Sequence, residues 1–515
     1  MSGKIHARNL MFNWGGHAAS MVVMFFLSPY IVGNLDAVAY GIWSLLTVLT
    51  GYMGLFDLGV RASVGRHIAL YLGKGDQKGV DESIRAGLGF FSFTGALILA
   101  AGVLLGWLFP QVFKDVPVEY HGTVRMLLPL MVVNVWLAAV AAVYSSVLAA
   151  HDRFDVARSV DLVVLIVRTA ATVYALQRGW GLWGLAGAVV VGNVLGMWAN
   201  WLAAHRYHAG LRSWPFLYRK NRLKEIISYG VASFLSAFSA RVIGQTDLII
   251  AGALISVADV REYSVGAMVV FYSSTFVKLI GRTFFPAFQR AIGAGKMGEA
   301  RHLFERQVRL ALCFGLLVYI GFATYSHSFI RLWMLQDGFG EAAVAVSASV
   351  MTVLALAQLP MLYALPSLDM LAAMGYIRFN AIISMTEAVV NLGLSLFFVI
   401  VLHWGLVGIA AGSLAGRLLV SCLWVPIYLD RKQGFAFKRL FFRIVAPAMA
   451  AAMIFYVFCK VQLWIFFPGT WLSFVLQIFL AFLFWSLIAT LIILPADYRQ
   501  RLSLCLRQFH AKAFV

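Results

Sequence analysis

A chain of 515 residues that is 62% hydrophobic and 12% charged holds far more apolar side chain than one aqueous core can bury, which excludes a soluble globule. The formal net charge of +19 is what a nucleic-acid-binding protein would show, so the placement of the basic residues decides that question. Four cysteines, Cys313, Cys422, Cys459 and Cys505, have neither CxxC nor metal-ligand spacing, which leaves no basis for a zinc or redox centre.

Apolar runs long enough to cross a hydrocarbon layer of about 30 Å are expected as helices over 9–33, 39–60, 86–109, 124–149, 156–177, 182–204 and 226–253. They continue over 262–286, 306–326, 343–366, 379–402, 405–429, 444–465 and 470–494, fourteen in all. Helices are expected because only a helix or a closed barrel satisfies its own backbone in lipid. Lys4 and Arg8 precede the first run as in a signal peptide. That run, at about 24 residues, is longer than a secretory h-region and is read as an uncleaved first helix.

Alternating the loops between two sides puts most of the 41 Lys and Arg on the side of the termini, which predicts both termini in the cytoplasm. The same bias accounts for the net charge without nucleic acid. Loops 205–224 and 430–443 mix basic with aromatic residues and are expected to lie on anionic lipid.

The chain repeats itself. WGLWGLAGAVVVG (180–192) matches WGLVGIAAGSLAG (404–416), LAAHDRF (148–154) echoes LAAMGYIRF (371–379), and GRHIALYLGKGDQKGVDES (65–83) corresponds to PAFQRAIGAGKMGEARHL about 220 residues later. Six helices separate the copies, an even number, so the halves share one membrane orientation. The predicted organisation is an all-α integral membrane protein with an N-terminal lobe over 1–222, a C-terminal lobe over 223–430, and two further helices with a cytoplasmic tail over 431–515. Two such lobes would enclose a cleft and expose it to alternate sides by rocking.

Ionisable residues at membrane depth are costly and usually face a wet path or one another. Arg168, Arg241 and Arg417 fall near mid-membrane at 1.5 Å per residue, with Lys278, Arg282, Asp57, Arg61, His17 and Glu387 toward the cytoplasmic side. The balance is positive and suits an anionic ligand, whose phosphate oxygens match the arginine fork. Lys278 and Arg282, four residues apart, repel unless an anion or carboxylate lies between them. The structural alternatives are an Arg241/Asp247 or Lys278/Asp247 pair, Asp161 with Arg168 seven residues on, Arg417 with Glu387, Arg61 as an interfacial anchor and His17 as a packing residue. The glycine-rich helices read as close helix packing, and GKGDQKG (73–79) lacks the order of a phosphate loop. Outside loops carry neither a paired-carboxylate site nor a metal cluster, which argues against a membrane glycosyltransferase or polymerase.

GLFDLGVRASVGRHIALYLGKGD (54–76), QTDLIIAGALISVADVREYSVG (245–266), FFPAFQRAIGAGKMGEARHLFERQV (284–308) and EAVVNLGLSLFFVIVLHWGLVGIAAGSLAGRLL (387–419) resemble the polysaccharide-transport branch of the multidrug/oligosaccharidyl-lipid/polysaccharide exporter superfamily. The resemblance implies a MATE-like fold and a flippase for undecaprenyl-diphosphate-linked oligosaccharide in the bacterial inner membrane, serving O-antigen, capsule or exopolysaccharide assembly. On that basis Arg241, Lys278 and Arg282, with Arg168, Arg417 and Arg61 behind them, would hold the diphosphate, and no residue would be catalytic. Asp247, Glu387 or Asp57 would bind a coupling proton or sodium ion, with no cofactor beyond that gradient. The bilayer, a polysaccharide polymerase and chain-length proteins would be partners of a working monomer. A lipid II flippase and a cation-coupled multidrug antiporter are the rivals within the superfamily.

Overall fold

The computed structural model describes residues 3–208, 210–214, 220–434 and 437–494. The side chains of His17 and Arg282 lie outside the described residues, as do 215–219 and 435–436 of the two basic–aromatic loops and the tail with Cys505.

Among the described residues every regular element is helical. In order they are α1 (Gly3–Asn34), α2 (Ala37–Met53), α3 (Val60–Gly73), α4 (Gln77–Val112), α5 (Val118–Ala150), α6 (Phe154–Gln177), α7 (Gly181–Tyr207), α8 (Lys220–Leu254) and α9 (Asp259–Gly293). Then come α10 (Met297–Met334), α11 (Glu341–Gln358), α12 (Met361–Ala373), α13 (Ile377–Ile400), α14 (Gly405–Gly416), α15 (Leu423–Gln433), α16 (Phe437–Leu440), α17 (Ala446–Ile465) and α18 (Trp471–Ile492).

Twelve of the helices are long and apolar enough to cross a membrane among the described residues. The intervals 9–33 and 226–253 lie in helices of 32 and 35 residues that are not among those twelve, so twelve of the fourteen expected spans are found. The expected run over 343–366 is divided: α11 ends at Gln358 and α12 begins at Met361, with Pro360 between them withholding a backbone donor. The run over 405–429 is also interrupted, by a π-helical stretch over Arg417–Cys422.

The repeats recur as backbone geometry. After α3, Gly75 takes φ 69°, its N–H donates to Leu72 O and that of Asp76 to Tyr71 O. After α9, Gly295 takes φ 71°, its N–H donates to Ile292 O and that of Lys296 to Ala291 O. Only glycine adopts this left-handed conformation cheaply, so each copy spends a glycine at the same place in the turn. Asp152 and Gly375 form a second matched turn, with φ 57° and 90°, and Gly181 and Gly405 a third, with φ 49° and 57°.

The chain forms two compact units, Met1–Arg261 with Gln336–Gly338, and Glu262–Leu335 with Phe339–Val515. The sequence repeat starts its second copy with α8, whereas by packing α8 joins the first unit, against α2, α3 and α4. In that unit Val64, Ile68, Ile84, Phe91, Val143 and Val147 make one fully buried core between α3, α4 and α5. The ends of α4, α5 and α7 meet at a histidine pair. His151 Nε2 lies 3.2 Å from His208 Nδ1, and His208 Nε2 lies 2.5 Å from Gln77 Nε2.

In the second unit α13 and α14 are seamed by small residues, where Ser395 Oγ donates to Ile409 O at 3.1 Å and Asn391 Nδ2 to Ser413 Oγ at 2.7 Å. The last two long helices dock on α10. Tyr325 OH donates to Gln462 Oε1 at 2.6 Å and Trp485 Nε1 to Cys313 O at 2.8 Å. Their outer faces carry exposed Trp464, Leu472 and Phe479, as lipid-facing helices do.

Candidate functional site

In the first unit Arg241 is half-buried on α8, and its place is made by Gly51 on α2. A Cβ at residue 51 would stand 2.9 Å from Arg241 Nη1 and 3.0 Å from Gln245 Oε1. Nη1 donates to Gln245 Oε1 at 2.8 Å, one turn along the same helix. Tyr52 OH reaches the Arg241 carbonyl at 3.3 Å and stands 2.5 Å from Thr246 Oγ1. Among the described residues the guanidinium forms no ion pair, and the Arg241/Asp247 alternative is not realised through it. Asp247 itself is 1% exposed, deep in the unit. A guanidinium held by a neutral amide keeps its whole charge for something else.

Arg168 stands on α6 against α7, where a Cβ at Gly192 would lie 3.3 Å from Arg168 Cβ. Its expected structural partner, Asp161, instead accepts from Arg158 Nη1 at 2.9 Å. The reason is reach: residues three apart are helix neighbours, while seven residues separate Cα atoms by about 10.5 Å. Arg168 forms no ion pair among the described residues. Arg61 and Asp57 flank the turn between α2 and α3. Asp57 Oδ1 accepts from the Gly59 N–H at 2.9 Å, and Arg61 Nε lies 3.8 Å from Asp57 Oδ2 with half of the arginine side chain exposed.

In the second unit Glu387 and Arg417 are neighbours, as the pair alternative expects. Arg417 Nε lies 3.6 Å from Glu387 Oε1, with the side chains 11% and 6% exposed. Ser421 Oγ donates to Glu387 Oε2, and Arg417 Nη1 to Ala357 O at 3.1 Å. Arg417 and Ser421 both lie in the π-helical stretch, and both meet the same carboxylate. Extra-residue turns of this kind are enriched at functional sites. Lys278 is exposed on α9 and borders a cavity of about 50 Å³ shared with Gln307 and Asp369. Asp369 and Gln307 escaped sequence reasoning, although an aspartate three residues past Pro366 in an apolar helix was the available signal.

Arg168 and Arg241 of the first unit are thus without an ion-pair partner among the described residues. The chain matches a family model described as "Polysaccharide biosynthesis protein" over residues 120–337. It is 23% identical over 428 residues to a putative O-antigen transporter of Shigella flexneri, covering 81% of this chain and 96% of that one. It is 20% identical over 471 residues to the uncharacterized membrane protein EpsK of Bacillus subtilis (strain 168), 88% of each chain.

Among solved structures, an inward-facing multidrug resistance MATE transporter of the MOP superfamily superposes with a TM-score of 0.68 at 14% identity, over 81% of this chain and 96% of that one. The lipid II flippase MurJ in an inward closed conformation gives 0.65 at 13% identity, over 94% and 100%. The fold is therefore the one these two structures share, and with twelve candidate spans among the described residues the chain is a multi-pass membrane protein. Over residues 120–337 and along most of its length the chain is thus similar to polysaccharide biosynthesis and O-antigen transport proteins.

Proposed function

We propose that the protein is a flippase carrying undecaprenyl-diphosphate-linked oligosaccharide from the inner to the outer leaflet of a bacterial plasma membrane, by alternating access. The observation that carries this reading is Arg241: a half-buried guanidinium on α8, held by neutral Gln245 and, among the described residues, by no acid. A diphosphate is a ligand that rewards such a group, because charge-assisted hydrogen bonds to phosphate are short and about twice as strong as neutral ones. Arg168, exposed Lys278 and Arg282 are proposed to extend the binding path, with Arg417 and Arg61 in reserve. The Shigella flexneri relative, named as an O-antigen transporter, supports the glycan class.

Asp247, Glu387 and Asp57 are the proposed binders of a coupling proton or sodium ion. Both termini are proposed to be cytoplasmic, on the positive-inside distribution. The chain is proposed to act as a monomer beside a polymerase and chain-length proteins.

Ligand-dependent stability tests the headgroup assignment. Saturation at about 100 times Kd stabilises a protein by about 2.7 kcal/mol, so undecaprenyl diphosphate is expected to raise the melting temperature of the purified wild type and to lose that effect in Arg241→Ala. An equal shift in both proteins would remove Arg241 from the site.

A further inference from the structure

Three helices of the second unit converge on a small polar site. Asp369 on α12 accepts at Oδ2 a hydrogen bond of 2.7 Å from Gln307 Nε2 on α10. On α9, Gly281 lets the carboxylate approach, since any Cβ there would overlap Asp369 Oδ2. Gln307 is 2% exposed, and its Oε1 accepts no hydrogen bond. Both side chains border the cavity of about 50 Å³, which exceeds the roughly 10–15 Å³ that one water needs.

The chemistry of this site differs from that of the other carboxylates. Glu387 has Arg417 beside it and Asp57 has Arg61, so each has a cationic neighbour. The side-chain hydrogen bond of Asp369 comes from a neutral amide, and the cavity wall is apolar apart from Lys278, Gln307 and Asp369 itself. Lys278 is the charged group bordering the cavity among the described residues. Arg378 on α13 and Asp430 on α15, which pack on α12, do not line it. The Gln307 amide already uses a donor on the carboxylate, and its oxygen needs a donor that an ionised carboxylate cannot give.

We propose that Asp369 and Gln307 form a proton-binding site. Asp369 takes a proton on Oδ1 while Oδ2 continues to accept from Gln307 Nε2. The new O–H supplies, through one water in the cavity, the hydrogen bond that Gln307 Oε1 lacks. One negative charge is neutralised and no other group changes protonation. Gly281 sits between Lys278 and Arg282 on α9, so each proton bound alters the charge beside the helix that carries both cations.

The test is infrared difference spectroscopy of the full-length protein in lipid nanodiscs during a pH titration, a readout independent of glycan transport and therefore separable from the flippase reading. Wild type is expected to gain a carboxylic-acid C=O band as pH falls. Asp369→Asn is expected to lose that band, and Asp369→Glu, which keeps a carboxyl but moves it by one methylene, to retain it at a shifted frequency. Exchanging choline for sodium at fixed pH is expected to leave the midpoint unchanged. A wild-type band persisting unaltered in both variants overturns the assignment, and a midpoint that falls as sodium rises replaces the proton site with a metal-cation site.

Discussion

Arg241 Nη1 donates to Gln245 Oε1 at 2.8 Å, and this neutral contact one turn along α8 is its side-chain hydrogen bond. Gly51 on α2 faces both groups closely enough that a side chain there must displace one of them. Gly51→Leu is therefore expected to lower transport at least fivefold while leaving every charge in place, and Gly51→Ala, which moves only the flexible end of Arg241, to have a smaller effect. Transport assays on the two variants at equal incorporation check the order. Equal rates in Gly51→Leu and wild type would detach the position of Arg241 from function.

The Glu387–Arg417 pair is predicted to be structural in energy whatever its role in transport. Removing one member of a buried pair strands the other charge, at a typical cost of about 3–5 kcal/mol, whereas replacing both by apolar groups is often neutral. Arg417→Met alone should sharply lower the melting temperature, and Arg417→Met with Glu387→Leu should recover most of the loss. A double variant as unstable as the sum of the singles would show that the two side chains are not coupled.

Two glycines of the long helices are predicted to behave oppositely. At Gly412 a Cβ would overlap Ser395 Oγ and stand 2.6 Å from the Ser395 backbone nitrogen, which cannot move away cheaply. Gly412→Ala should cost about 1–3 kcal/mol through overpacking of the α13/α14 seam. At Gly187, on α7, nothing lies within 4 Å, so Gly187→Ala should be neutral or gain up to about 1 kcal/mol of helix propensity. Thermal unfolding of both variants in one detergent makes the comparison.

His208 predicts a pH response at the helix ends of the first unit. Burial and the neighbouring His151 hold its imidazole below the ordinary 6.5, against the opposing pull of Asp81. Because the folded value is the depressed one, stabilisation is complete above the unfolded value and is lost as pH falls below about 6.5 toward the folded value. The melting temperature of wild type should thus drop between pH 7 and 5, and His208→Gln should flatten the dependence. A profile identical in the variant would assign the acid sensitivity elsewhere.

Much of this architecture is legible in the sequence because lipid imposes it. Each expected apolar interval contains helix, and the echoed segments fold into matched turns at Gly75 and Gly295, Asp152 and Gly375, and Gly181 and Gly405. Side-chain partnerships are legible only where they are local or pre-paired by adjacent helices, as with Arg417 and Glu387. Asp161 shares a face with Arg168, yet pairs with Arg158 because an ion pair needs proximity and not only a common stripe. Asp369 and Gln307 are 62 residues apart on separate helices, and Asp369 takes its place where Gly281 has no side chain, which has no periodic signature.

The central claim is tested most directly by leaflet exchange. Proteoliposomes would carry fluorescent undecaprenyl-diphosphate oligosaccharide, with wild type, Arg241→Ala or Arg168→Ala incorporated to equal density, and the fraction of label accessible from outside followed in time. The account predicts exchange by wild type and at least a tenfold lower rate in Arg241→Ala, about 1.4 kcal/mol of lost transition-state stabilisation. Wild-type liposomes that exchange no lipid-linked glycan, yet move an organic cation against a proton or sodium gradient, would contradict it.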